Sequence, residues 1–316
     1  MNKPLGGRDA ATMENNTITA VRGIQVGHAT NRRARTGCTV VLCPAGAASG
    51  VDVRGFAPGT RETDAIRPGR LVGQAHAILL TGGSAFGLDA AAGIMRFLEE
   101  HGAGFPTAHG VVPIVPAAVI YDLRVGDPRV RPDKAMGYRA CKAASDKAVP
   151  TGRVGAGTGA TVGKAPGLRR TDGGIGSARA KLPNGVTVGA LVVVNAVGGI
   201  VDPATGEMVA GAADEDTRRT ADAAPDAPRA RRPATPGTNT TIGVVATDAA
   251  LSSVEANIVA SMAHDGIARA IHPAHTLHDG DTLFALSTGK RKADVNEVGI
   301  LAAEVVARAI LDSVGK

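Results

Sequence analysis

The sequence predicts a layered α/β or α+β sandwich, its sheets covered on their outer faces by helices. Three observations carry this. Short apolar runs such as "VTVGALVVVNAVG" and "TIGVVA" lack polar alternation, which marks strands buried on both faces. Between them lie amphipathic segments at helical spacing, and elements mixed in this way stack as sheets under helices. The turn Pro183-Asn184-Gly185 separates "GIGSARAKL" from the next apolar run, a strong hairpin signal.

Taken in order, residues 18–26 and 38–43 read as short apolar strands, and 77–80 as a third. The last runs into "TGGSAFGLDAAAGIMRFLEEHG", where Leu88, Ala91, Met95 and Leu98 recur at helical spacing and Gly102 follows the end. Residues 111–120 predict another strand and 134–145 a short helix. From 202 to 238 the character changes: five prolines, "DEDTRR", "RARR" and almost no large apolar residue predict a mobile insert that cannot bury enough surface to offset its ordering entropy. Beyond it, 242–246 reads as a strand. Ser252 with Glu255 forms a capping box that opens a helix with Val254, Ile258 and Met262 on one face. Residues 281–286 form a further strand, and Asp294 with Glu297 starts a final helix through Val298, Leu301 and Val305.

Composition excludes several classes. The net charge of +6, 35 basic against 29 acidic residues, is modest and dispersed, and with no Trp, two Tyr and five Phe there are no stacking platforms for a nucleic acid. No apolar run approaches a membrane span. Residues 1–16 form a polar tail without the basic-then-apolar order of a secretory signal. Cys38, Cys43 and Cys141 match neither a zinc nor a disulfide framework. A cytoplasmic protein with free thiols, no metal, no organic cofactor, no nucleic acid and no membrane partner is expected.

Several constellations could carry chemistry. "GAGTGA" at 155–160 loosely fits a dinucleotide fingerprint, but "TVGKAPG" cannot open the helix that must follow. Gly163-Lys164 lacks the flanking residues of a phosphate loop. Ser84 sits on a strand-to-helix turn without nucleophile-elbow spacing, and a helix-capping role explains it. The loop "HDGIARAIHPAHTLHDGD" holds His264, His272, His275 and His278 with Asp279 and Asp281, yet lacks the order of a zinc helix. Asp279 and Asp281, two apart, face one way if the chain is extended; a turn is the alternative. Asn195 lies inside an apolar run, where its amide needs partners or costs about 1–3 kcal/mol. It either bonds to backbone at a strand end or aims a donor into a site.

Thr240 follows the Pro-rich insert and begins a buried strand. A threonine with a free α-amine carries nucleophile and base in one residue. Thr240 is internal, so that use requires a break after Asn239. Asn239-Thr240-Thr241 also fits a glycosylation sequon, which goes unused without secretion.

The blocks "RGIQVGHAT", "LTGGSAFGLDAAAG", "VGAGTGATVGK", "GVTVGALVVVNAVG", "NTTIGVVATDAAL" and "HDGDTLFALSTG" together resemble the DmpA-type peptidase family. That family comprises self-processing L-aminopeptidase/D-esterases, β-aminopeptidases and 6-aminohexanoate-oligomer hydrolases. The resemblance runs from about Thr17 to the C-terminus, outside the insert. It implies an α+β fold, a four-layer αββα sandwich of the N-terminal-nucleophile type, spanning 17–316 as one catalytic domain. It also implies autocleavage between Asn239 and Thr240 into chains 1–239 and 240–316, and homo-oligomers of the cleaved pairs. By motif, Thr240 resembles the nucleophile, Asn195 the oxyanion-side amide, Lys164 a charged neighbour and Tyr121 a cleft-lining tyrosine. Asp279 and Asp281 resemble the acidic pair beside the nucleophile. Thr with Asp/Asp, in place of the Ser with Ser/Glu of the aminopeptidase branch, places the chain nearer the nylon-oligomer hydrolases. The expected activity is hydrolysis of amide bonds in small peptides or amino-acid oligomers through an acyl-enzyme. A metal-dependent hydrolase built on the His264–Asp281 loop and an uncleaved, non-catalytic binding protein are the alternatives.

Overall fold

Successive residues of the apolar runs enter different cores, which is why those runs show no polar alternation. Val40 and Leu42 pack into one cluster and Val41 and Cys43 into another; Leu191 and Val193 part in the same way from Val192 and Val194, as does Phe284 from Leu283. A computed structural model describes residues 15–212 and 238–316. Nine strands make the main sheet: β1 (Gln25–Asn31), β2 (Thr36–Val53), β3 (Thr60–Arg61), β4 (Gln74–Thr81), β5 (Ala117–Val119), β6 (Gly174–Lys181), β7 (Thr187–Asn195), β8 (Thr240–Ala249) and β9 (Thr282–Arg291). Their order is β6-β7-β8-β9-β2-β4-β5-β3, with β1 also on β2. The β8/β9 and β4/β5 pairs are parallel.

The long strand β2 joins two halves of this path. Up to Leu42 it pairs with β1 and β4, the β4 register then shifts between Leu42 and Ala47, and from Ala48 it pairs with β9. Gly46, at φ +81°, lies in the shift, a conformation that favours glycine. Helices α1 (Ala90–Glu100) and α2 (Lys134–Lys142) cover one outer face; α3 (Ser253–Ala270) and α4 (Val295–Asp312) cover the other. A middle cluster joins Val41, Ile78 and Leu80 to Leu191 and Val193, and to Ile242, Val244, Phe284 and Leu286. Three cores separate four layers, the expected αββα sandwich.

Several local expectations change. Residues 18–20 form a 3-10 turn and the strand starts only at Gln25, because Gly23 at φ +89° turns the chain. The strand expected over 111–120 splits into Gly110–Val112 and Ala117–Val119, since Pro113 and Pro116 have no amide to donate. On α3 the face bearing Val254 and Ile258 points outward, 50 % and 43 % exposed, while Ala256, Val259, Ala260, Ala263 and Ile267 are buried. Within the expected insert, Met208–Ala210 forms a strand on Gly199–Val201. The rest of the insert, 213–237, and most of the 1–16 tail lie outside the described residues. The three cysteines are buried and unbridged. Among the described residues no helix is long and apolar enough to cross a membrane.

The small residues facing α3 set its distance from the sheet. A Cβ on Gly50 of β2 would lie 2.6 Å from Asn257 Cα, so the helix backbone rests on the strand. Gly50→Ala should therefore lower stability by about 1–3 kcal/mol through overpacking, read as a fall in the urea midpoint at unchanged slope.

Candidate active site

The site forms where three neighbouring strands end or begin. Asn195 is the last residue of β7 and pairs with Thr240, the first of β8. On the other side Asn239 forms a parallel bridge with Asp279, three residues before β9. The sheet itself thus brings Asn195, Asn239, Thr240, Asp279 and Asp281 together, each at most 4 % exposed.

The Asn239 carbonyl oxygen accepts hydrogen bonds from the Gly280 amide at 2.9 Å and from the Thr240 hydroxyl. Gly280 has to be glycine: a Cβ there would stand 3.0 Å from Thr240 Oγ1 and 2.5 Å from Ala57 O. Asn195 uses both ends of its amide at the strand end. Its Oδ1 accepts from Thr161 N (3.1 Å) and Lys164 Nζ (3.0 Å), whereas its Nδ2 reaches Tyr121 O (3.4 Å) and Thr238 O (3.5 Å) at long range. The Tyr121 ring lies under the Arg124 guanidinium, 6.0 Å from its centroid.

The acidic pair is anchored from several directions. Asp279 Oδ2 accepts from Thr276 N (2.9 Å) and Thr276 Oγ1 (2.6 Å), and Oδ1 from Val197 N at 3.4 Å. Asp281 Oδ1 accepts from Thr241 N at 2.6 Å and Oδ2 from His275 Nδ1 at 2.7 Å. Burial, then the neighbouring Asp281 charge, raises Asp279 above the usual carboxylate range. Burial lowers the Lys164 ammonium from 10.5 to about 7 against the opposing pull of Asp279; Arg170 and Arg124 lower it further.

Among the described residues the histidines do not gather as a metal-ligand set, although the ring centroids of His264 and His275 lie 5.0 Å apart. His264 is helical, His272 is exposed and reaches Ala268 O, His275 serves Asp281, and among the described residues no three His, Cys, Asp or Glu side chains gather as metal ligands. Residues 155–159 form a buried 3-10 turn, not the opening of a dinucleotide-binding helix.

The family model for "Peptidase family S58" matches residues 16–316. The chain belongs to peptidase family S58. An uncharacterised aminopeptidase of Mycobacterium leprae is 46 % identical over 95 % of this chain and 90 % of its own length. A 6-aminohexanoate-oligomer endohydrolase of Kocuria sp. (strain KY2) is 36 % identical over 92 % of this chain and 84 % of its own. The L-aminopeptidase D-Ala-esterase/amidase of Ochrobactrum anthropi, described as a variant of the Ntn hydrolase fold, superposes with TM-score 0.73 at 22 % identity, covering 98 % of this chain and 88 % of that one. As an S58 member the protein is a hydrolase of peptide or amide bonds.

The seven residues that the resemblance assigned, Tyr121, Lys164, Asn195, Asn239, Thr240, Asp279 and Asp281, meet in this one region of the S58 chain. Four participants had not been singled out: Gly280, Thr161, Val197 and Thr276. Gly280 lies between the two aspartates and had a visible signal, a glycine where an extended acidic pair needs none. Thr161, Val197 and Thr276 had no such signal, because hydroxyl and amide partners of a buried polar group are set by tertiary structure.

The lowered Lys164 value has a consequence for stability. The unfolded chain keeps this proton up to about 10.5 and the folded one only to about 7, so between these values folding releases a proton and stability rises with pH. Below about 7 both states are charged and the burial penalty is complete. Urea unfolding at pH 7 and pH 9 should show a larger gain for wild type than for Lys164→Met, by up to about 1.4 kcal/mol per pH unit.

Proposed function

We propose that the protein is a self-processing amidohydrolase whose nucleophile, Thr240, is released by cleavage after Asn239. One observation carries this reading: the Asn239–Thr240 peptide is gripped on both sides, its carbonyl oxygen on the Gly280 amide and its hydroxyl beside that same carbonyl. In the first stage Thr240 Oγ1 attacks the Asn239 carbonyl carbon, and charge develops on an oxygen that already faces an N–H donor. The acyl group moves from nitrogen to oxygen. Water hydrolyses the ester, leaving a carboxylate on Asn239 and a free α-amine on Thr240.

In the second stage that amine takes the hydroxyl proton while Oγ1 attacks a substrate amide. Departure of 238–239 would free two donors, Asn195 Nδ2 from Thr238 O and Gly280 N–H from Asn239 O, to hold the new oxyanion. The leaving amine departs protonated, and water clears the acyl-enzyme. Lys164 and the Asp279/Asp281 pair set the charge around the Thr240 amine, and Tyr121 lines the approach. The substrates are amides of small peptides or amino-acid oligomers, a class supported by the names of relatives 46 % and 36 % identical, an aminopeptidase and an oligomer endohydrolase. Chains 1–239 and 240–316 remain one domain, and the cleaved pairs assemble as homo-oligomers in the cytoplasm.

On a denaturing gel, purified protein should resolve into chains of 239 and 77 residues, 316 minus 239 being 77, with Thr240 the first residue of the shorter. Thr240→Ala should stay whole and inactive. A single intact band from fully active wild type would overturn the proposal.

The pH dependence follows from the base. An unperturbed α-amine titrates near ~7.7–8.0 and acts only when neutral. Lys164 gives up most of its charge above about 7, so it opposes protonation of the amine only where the two titrations overlap, and the wild-type acid limb should lie only slightly below that of an isolated α-amine. In cleaved Lys164→Met the acid limb of kcat/KM should move slightly to higher pH, measured on a small amide from about pH 5 to 9.

A further inference from the structure

We propose that His275 is a positioning residue that locks the Asp281 carboxylate onto the Thr241 amide, and through it holds Thr240 in register; this rests on Thr240 being the nucleophile. Two donors of the same residue converge on one oxygen: His275 Nδ1 at 2.7 Å and His275 N at 3.2 Å both point at Asp281 Oδ2. The other oxygen, Oδ1, takes the Thr241 N–H at 2.6 Å. That N–H belongs to the peptide joining Thr240 to Thr241, so the orientation of one carboxylate fixes the peptide that leaves the nucleophile.

The convergence needs an unusual backbone. His275 sits at φ +54°, the left-handed region, which disfavours a residue with a Cβ. A carboxylate oxygen accepts, so Nδ1 is the donor in this contact. Nε2 is buried and meets no polar partner among the described residues. Behind the ring stands His264, fully buried, with ring centroids 5.0 Å apart at 61°. Its Nε2 lies 3.0 Å from Asp52 O, a carbonyl, and therefore donates. Burial lowers His264 to about 4, so a neutral ring backs His275 near neutral pH and does not compete for Asp281. Among the described residues His275 supplies both hydrogen bonds to Asp281 Oδ2, and without its ring Oδ2 would keep only the 3.2 Å backbone contact. The carboxylate would then be free to rotate away from Thr241.

Two substitutions separate this role from a structural one. His275→Gly accepts the left-handed φ without strain but has no ring donor; His275→Asn tolerates the same φ and places its Nδ2 near the position of Nδ1. The readouts are the rate of conversion to the 239- and 77-residue chains, kcat and KM on L-alanine 4-nitroanilide, and melting temperature. His275→Gly should melt within a few degrees of wild type yet lose about 100-fold in kcat with little change in KM, the scale expected when reacting groups shift by about an ångström. His275→Asn should recover at least about tenfold of that loss. Wild-type kcat in His275→Gly, or folded His275→Asn without any recovery, overturns the proposal. If His275→Gly does not fold, His275→Asn decides alone: processing and turnover near wild type support it, and folded inactive protein refutes it. Thr240→Ala is the control. An active Thr240→Ala removes the Thr240 reading itself, whereas inactive Thr240→Ala beside fully active His275→Gly removes only the role of His275.

Discussion

The Asn239–Thr240 peptide is clamped between two strand neighbours, and the rest of the site depends on that clamp. Asn195 pairs with Thr240 on one side, and Asp279 bridges Asn239 on the other. Strand neighbours stand roughly 4.8 Å apart in any sheet, so the distances from Thr240 to the amide of Asn195 and to the acidic turn are set by the ladder and not by loop conformations. Gly280 completes the clamp by letting its amide reach the Asn239 oxygen where any side chain would meet Thr240 Oγ1 or Ala57 O. The long apolar strands are what make this placement reproducible: β7, β8 and β9 are buried on both faces, and a slip of one residue would send every side chain into the wrong core.

Electrostatics at the clamp work in one direction. Burial disfavours charge of either sign, so Lys164 falls to about 7 while Asp279 rises, and both move toward conditions in which a proton is easily exchanged. The same burial makes the hydrogen bonds to these groups more valuable, because a low-dielectric surrounding offers no water to replace them. Thr276, Val197 and Thr161, which react with nothing, are therefore needed to keep the polar groups where they are.

Much of the fold was legible because it depends on local chemistry. The Ser252/Glu255 capping box forms as its spacing requires, Asp294 caps α4, and the Pro183-Asn184-Gly185 turn joins β6 to β7. The misreadings have separate causes: Gly23 turns the chain ahead of β1, Pro113 and Pro116 split the strand expected over 111–120, and on α3 the large side chains misled. Val254 and Ile258 stood out on α3 by size, but the face that Gly50 and Gly266 let pack closely carries Ala256, Ala260 and Ala263 with Val259 and Ile267. The site residues were legible as types, an amide in an apolar run, two acids two apart, a threonine at a strand start. Their grouping came only through the family resemblance, because Tyr121, Lys164, Asn195, Thr240 and Asp279 lie on separate segments that composition and spacing do not connect.

The position of the proposed cut fits the demands of stability as well as chemistry. The segment 240–316 supplies β8, α3, β9 and α4, and in the sheet β8 and β9 lie between β7 and β2 of the other segment. Both outer ladders of this pair start after the cut: β7 with β8 from the Asn195–Thr240 pair, and β9 with β2 from the Thr282–Val53 pair. Breaking the Asn239–Thr240 bond removes none of these strand pairs and exposes none of the core around Phe284 and Val244. The two chains would be held by the same burial that folds one chain, so the bond that must break to free the α-amine is one whose loss leaves the sheet's ladders and cores in place.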